Sequence, residues 1–219
     1  MSFSSVIRNT LLGLLPRPKT PAAIAEQSFR RAASKLGVSD IAIDCGANVG
    51  RYTKVLADTR AQVYAFEPNP DAFAVLRQRM QGYPNVICVN KAVAAEAGSL
   101  RLFLHEQAAD DPVRWSTGSS VLSVKANVNP ETYVDVESVD FVEFVLSLGS
   151  PIKLVKMDIE GAEVALLQRL VNHPLAMNAI GQLFVETHDH KIPELRDDTE
   201  QLRKTIRQAG LDRINLDWK

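Results

Sequence analysis

The sequence predicts an α/β domain with a doubly wound, mostly parallel sheet, and three observations lead there. Short runs such as Ile41–Cys45, Val63–Phe66, Val86–Val89 and Ile152–Met157 are apolar on successive residues, so both of their faces need cover, as in parallel strands. Segments with apolar residues at helical spacing alternate with these runs. Several runs end at glycine-bearing or charged turns, where open α/β sheets place their ligands. In a chain of 219 residues, 46% hydrophobic and 23% charged, this predicts one domain over residues 20–219 behind an amino-terminal arm, residues 1–19.

Each element has a local cause. Thr20 before Pro21 starts a helix carrying Ala25, Phe29, Ala32, Ala33 and Leu36, and Gly37 ends it. Strand Ile41–Cys45 leads through a glycine turn to a helix from Gly50 to Ala57. After strand Val63–Phe66, Asn69-Pro70 caps a helix with Phe73, Leu76 and Met80, followed by strand Val86–Val89. Gly98 precedes a strand at Leu100–Leu104. Residues 105–130 hold no sustained period and are expected to form a lid with some strand in it. Val139, Val142, Val145 and Leu146 mark a helix ending at Gly149. Strand Ile152–Met157, helix Gly161–Val171, strand Gly181–Glu186, a helix with Leu195, Leu202, Ile206 and Ala209, and strand Arg213–Leu216 complete the pattern.

Composition excludes several classes. Lys plus Arg number 25 against 26 Asp plus Glu, which gives no electrostatic reason to expect a nucleic-acid partner. No run approaches ~18 uninterrupted apolar residues, so stable membrane insertion is not expected. Leu11, Leu12, Leu14 and Leu15 are too short a patch for a secretory signal, and residues 1–19 read as a mobile or partner-docking arm, with peripheral membrane contact as a minor alternative. Cys45 and Cys88 sit in apolar runs and read as reduced core residues, consistent with a cytoplasmic protein.

Two constellations carry chemistry. In Asp44-Cys45-Gly46-Ala47-Asn48-Val49-Gly50 a strand hands over to a helix, and glycines there allow a sharp bend and close approach to a ligand. Twenty-three residues on, Glu67 ends the second strand, where an acid accepts hydrogen bonds from ribose hydroxyls. The middle glycine of a dinucleotide site is replaced by Asn48, and Asp44 would repel a pyrophosphate but favour the cationic S-adenosylmethionine (SAM). The second constellation is Lys156-Met157-Asp158-Ile159-Glu160-Gly161-Ala162-Glu163. Strand alternation puts Lys156 and Asp158 on one face, and helix capping explains Glu163 better than Glu160 and does not explain Asp158. Glu186-Thr187-His188 ends another strand with an acid and an imidazole on one face, a pair suited to base or ligand work.

Asp44-x-Gly46-x-Asn48-x-Gly50, Glu67-Pro68-Asn69, Asn90-Lys91-Ala92, Ser119-Ser120, the Lys156–Glu163 segment and Glu186-Thr187-His188 together resemble the FkbM family of SAM-dependent methyltransferases, in order from about residue 40 to 210. The resemblance implies a Rossmann-like class I methyltransferase fold and O-methylation of hydroxyls on sugars or other small molecules. It implies that Asp44, Gly46, Asn48 and Gly50, with Ala47 between them, surround the methionine part of SAM. Glu67, next to Pro68 and Asn69, would hold the ribose, Asn90 to Ala92 would border the adenine, Ser120 would join the cofactor site, and Asp158 would sit near the reacting centre. Class I domains finish with an antiparallel strand pair. Here there is room for one strand, so the last edge strand is missing or is completed by a partner or by the arm.

Together these residues point to SAM-dependent methyl transfer to an oxygen of a small-molecule or saccharide acceptor, by a protein able to form a homo-oligomer. His188 or Asp158 would accept the proton, while Glu160, Glu186 and Lys156 set the local charge. A SAM- or nucleoside-binding module without catalysis, perhaps a partner subunit, is the alternative. An NAD-dependent oxidoreductase is disfavoured by Asn48 and Asp44. A divalent ion among Asp158, Glu160, Glu186 and His188 would be chemically apt, but Lys156 repels it, so the metal-free mechanism stands first.

Overall fold

A computed structural model describes residues 20–218, and the arm expected at residues 1–19 lies outside them. Helix α1 (Pro21–Ala33) is capped by Thr20, whose Oγ1 accepts from the Ala23 N–H at 3.2 Å. Next come β1 (Ile41–Cys45), α2 (Arg51–Ala57), β2 (Gln62–Phe66), α3 (Pro70–Arg79), β3 (Val86–Val89), β4 (Ala92–Ala94) and β5 (Gly98–His105). A 3-10 turn at Arg114–Gly118 precedes β6 (Val128–Asp140), α4 (Phe141–Ser147), β7 (Ile152–Met157), α5 (Glu163–Val171) and α6 (Pro174–Ala179). Strand β8 (Ile180–Glu186), α7 (Arg196–Gln208) and β9 (Ile214–Trp218) finish the order.

Six strands form one sheet in the order β3-β2-β1-β7-β8-β9, and every neighbouring pair is parallel. Alternate residues feed opposite layers. Ala42, Leu154 and Phe184 pack with Phe29 and Trp218 beneath α1, whereas Ile43, Val155 and Val185 pack under α4, α5 and α7. Phe29 stacks on Trp218 with ring centres 5.2 Å apart, which fastens α1 to the β9 edge. Chain order reverses between β1 and β7, and such switch points open a crevice at the carboxyl ends of the strands. No helix among the described residues is long and apolar enough to cross a membrane.

The middle of the chain differs from expectation. A second sheet, β4-β6-β5, contains a 13-residue strand that begins at the end of the expected lid, crosses residues 131–138, to which no element was assigned, and ends where a helix face was expected to begin. Val134 and Val136 alternate with Asp135 and Glu137, the mark of a half-buried strand, and β6 pairs antiparallel with β5 and parallel with β4. Val139 therefore lies in β6, and α4 starts one residue after Asp140, whose Oδ1 accepts from the Glu143 N–H at 3.1 Å. The segment between β5 and β6 is held by a bridge, Phe103 to Ser120, and by the 3-10 turn. Helix α6, capped by His173, had no periodic signal because it spans only six residues. At the far edge, one strand, β9, adds parallel to β8.

Candidate active site

The turn after β1 is shaped by backbone necessity. Gly46, Asn48 and Gly50 all lie at positive φ (74°, 48° and 88°). A Cβ on Gly46 would stand 1.8 Å from the Asp158 carbonyl oxygen, so only glycine fits. Asn48 is among the few side chains that tolerate the left-handed region, which explains why it can replace a glycine. Its N–H donates to Glu67 Oε2 at 2.7 Å and its Nδ2 to Ser116 Oγ at 2.8 Å, tying the turn to β2 and to the segment above. Glu67 Oε1 accepts from the Asn69 N–H at 2.9 Å. Burial pushes the Glu67 carboxyl up to about 7, although the Asn69 and Asn48 N–H groups oppose the rise.

A cleft enclosing about 640 Å³ of empty space, its open mouth included, runs along the carboxyl edge, a size suited to a cofactor. Of the residues singled out in the sequence, Gly46, Asn48, Glu67, Pro68, Asn69, Ala92, Asp158 and Glu160 line it. Others support it from behind. Asp44 is fully buried and accepts from Thr53 Oγ1 at 2.6 Å, Ala47 is buried, and Gly50 caps α2. Asn90 donates to the Glu67 and Pro68 carbonyls, bracing the turn after β2. Ser120 is turned away from the cleft: its Oγ donates to the Glu160 carbonyl at 2.5 Å, and its neighbour Ser119 lines the cleft instead, with a buried hydroxyl that has no partner among the described residues.

The facing wall is made of charge. Lys156, buried and directed at the β1 end, donates to the Gly46 carbonyl at 2.6 Å and lies 3.3 Å from Asp44 Oδ1 and 3.6 Å from Asp158 Oδ2. Burial opposes its charge, yet Asp44 and Asp158 hold its pKa above the usual lysine value. His188 Nε2 lies 3.0 Å from Glu160, 3.7 Å from Asp158 and 3.8 Å from Glu186, so these four groups converge as their strand-end positions implied. Burial opposes protonation of His188, but contacts with Glu160 and Glu163 push it up to about 10. Burial also works against ionising Glu160, but His188 and Lys125 bring its carboxyl down to about 2. Asp158 is raised by its own burial, with Lys156 working the other way, and Glu186 is raised for the same leading reason.

Two partners escaped the sequence reading. Glu163, there read as a helix-end acid, is fully buried; it accepts from the Ile159 and Gly161 N–H groups, and its Oε1 lies 2.9 Å from His188 Nδ1. Lys125 donates to Glu160 Oε2 at 2.6 Å and to the Gly118 carbonyl at 2.7 Å. The pattern E-G-x-E could have flagged Glu163, since its spacing returns the side chain to the strand end. Lys125 lies in a segment without period and carries no such signal. Trp115 stacks on His105, ring centres 4.5 Å apart, within the segment over the cleft.

A parallel sheet with a switch point, a glycine turn facing a buried acid on β2, and charged strand ends define a Rossmann-like protein of the methyltransferase class. Over residues 44–212 the chain matches the methyltransferase FkbM domain, and it belongs to that family. It is 27% identical over 179 residues to the hexuronic acid methyltransferase AglP of Haloferax volcanii, a match covering 81% of this chain and 67% of AglP. A shorter match, 37% identical over 59 residues, covers 26% of this chain and 23% of ribosomal RNA small subunit methyltransferase A of Thermotoga petrophila. Among solved structures, precorrin 8W decarboxylase from Methanobacterium thermoautotrophicum aligns over 90% of this chain and 75% of its own, at 15% identity and a TM-score of 0.45. Precorrin-6y C5,15-methyltransferase from Geobacter metallireducens aligns over 84% and 71%, at 11% identity and a TM-score of 0.41.

Proposed function

We propose that this methyltransferase uses SAM and methylates an oxygen of a small-molecule acceptor, with a saccharide as the favoured class. The observation that carries the reading is the single cleft in which the Gly46–Asn48 turn and Glu67 face Asp158 and Glu160. Glu67 would accept from ribose hydroxyls, and Ser119, with its free hydroxyl, from or to the adenine. The cationic cofactor would sit where Asp44, Asp158 and Glu160 make the field negative. The C–S bond would break with its pair returning to sulfur as the acceptor oxygen bonds the methyl carbon, and the hydroxyl proton would pass to Asp158. A raised Asp158 pKa suits that role, whereas His188, already protonated near neutrality, serves as a charge held between Glu160 and Glu163. The methyl donor is already activated, so alignment and exclusion of water by residues 105–130 supply much of the rest.

The saccharide preference draws on AglP, a hexuronic acid methyltransferase, and on carboxylates that can accept from several hydroxyls at once. Buried or half-buried free cysteines, Cys45 and Cys88, favour a cytoplasmic setting. The test is transfer of a labelled methyl group from SAM to a panel of hexoses, hexuronic acids and their nucleotide-linked forms. Label in a sugar ether or ester is the expected result; SAM binding without transfer to any hydroxyl or carboxylate would leave a cofactor-binding module.

A further inference from the structure

His188 is fixed in a way that its proton-holding role does not require. Glu163 Oε1 meets Nδ1 at 2.9 Å, and Glu163 is itself locked by two backbone N–H groups, which sets the ring's orientation and leaves Nε2 as the free end. That nitrogen is fully buried and makes no hydrogen bond among the described residues, although oxygens of Glu160, Asp158 and Glu186 lie 3.0, 3.7 and 3.8 Å away. Asp158 and Glu186 are beyond hydrogen-bond distance, and Glu160, though near enough, is not aligned with an Nε2–H. Asp158 Oδ1 is likewise buried and unpartnered, since Lys156 approaches the other oxygen of that carboxylate. Ligand atoms of Asp158, Glu160 and His188 all lie within 4.8 Å of one another.

These distances match a small hard cation. Ligands about 2.1 Å from an octahedral ion stand about 3 Å apart when adjacent and about 4.2 Å when opposite. An imidazole whose far nitrogen is gripped by a carboxylate is also the usual support for a metal-ligating histidine. The surrounding charges agree: Asp44, Asp158, Glu160, Glu163 and Glu186 face Lys125, Lys156 and Lys191, a deficit of two positive charges. A proton on His188 makes up one of them; a divalent ion, whose binding would release that proton from Nε2, makes up both. Lys125, 2.6 Å from Glu160 Oε2, the same oxygen that lies 3.0 Å from His188 Nε2, is the cation that an ion would have to displace or share this oxygen with.

We propose that Asp158, Glu160 and His188 Nε2 form a site for a hard divalent cation such as Mg²⁺ or Mn²⁺, with Glu163 as the positioning residue. Asp158 and Glu160 line the cleft, so an acceptor hydroxyl could complete the ion's shell. The site stands on this geometry; only its use by an acceptor rests on the methyl-transfer reading.

The experiment is titration of the full chain with Mn²⁺ followed by electron paramagnetic resonance, with calorimetry of S-adenosylhomocysteine on the same samples. The expected result is about one Mn²⁺ per chain with nitrogen modulation from an imidazole, lost in His188→Gln and weakened at least about tenfold in Asp158→Asn. If His188→Gln does not fold, Asp158→Asn and the nitrogen signal decide alone. No Mn²⁺ uptake by protein that binds S-adenosylhomocysteine overturns the site, as does uptake without nitrogen modulation or unchanged in a folded variant. Mn²⁺ uptake with no S-adenosylhomocysteine binding would keep the site and sink the methyl-transfer reading instead.

Discussion

The wall that carries Gly46, Asn48 and Glu67 is made largely of backbone, whereas the facing wall, Asp158 to Glu163 with His188, is made of charged side chains. On the first, Glu67 takes both of its hydrogen bonds from main-chain N–H groups and the turn is set by three residues at positive φ. On the second, Asp158 and Glu160 are placed by lysines and the His188 imidazole, and Glu160 itself sits at φ 56°, a strained conformation for a side chain of its size. The difference teaches which changes each wall tolerates. Steric exclusion protects the first, and charge balance protects the second.

The largest effect is expected where the walls meet. Gly46→Ala drives a Cβ to within 1.8 Å of the Asp158 carbonyl, so the β1 and β7 ends must separate. Thermal unfolding should show a loss of about 4 kcal/mol or more, with SAM binding abolished in whatever remains folded. Normal stability in this variant would break the claim that backbone contact defines the first wall. Lys156→Met comes next. It strands Asp44 and Asp158 without their shared cation, and breaking such buried pairs costs about 3–5 kcal/mol, read by denaturant titration. A loss under about 1 kcal/mol would mean that charge balance does not hold the second wall.

The contrast also explains what was legible beforehand. Strands β1, β2 and β7 were readable because both faces are largely buried and apolar residues follow one another, and β3 because Val86–Val89 is an unbroken apolar run, although Ile87 is exposed. Gly46, Glu67 and Asp158 were readable because strand ends in such sheets meet ligands, whatever the rest of the chain does. Strand β6 was not, since one face is exposed and Pro130 interrupts its alternation; its pairing with β5 and β4 is a long-range fact. Lys125 and Ser119 come from that same region, so their arrival at Glu160 and at the cleft depends on packing that no local period records. Glu163 was visible as an acid at a helix start, but its grip on His188 depends on β8 lying beside β7.

Glu67 sharpens the first wall through pH. Its carboxyl binds a proton more tightly in the fold, at about 7, than at its ordinary value of 4.5. Stability from this group therefore falls as pH rises between those values and is lowest above 7. Ribose hydroxyls donate to the ionised form, so SAM affinity should rise severalfold between pH 6 and 8, measured by calorimetry. Glu67→Gln should flatten that dependence and weaken SAM by about 1–3 kcal/mol. Affinity that falls over the same range would remove Glu67 from the ribose.

The smallest effect belongs to Ser119→Ala. Removing a hydroxyl with no partner among the described residues should leave the unfolding temperature unchanged while weakening SAM by about 1 kcal/mol. Unchanged affinity would show that this part of the cleft does not touch the cofactor.

The central claim is that the Gly46–Asn48 turn and Glu67 hold SAM against a negatively charged second wall, which a pyrophosphate would not tolerate. Calorimetry of the full chain with SAM and NAD in parallel tests it most directly. The account predicts saturable SAM binding, with no heat from NAD at the same concentrations. NAD binding in the absence of SAM binding would contradict it.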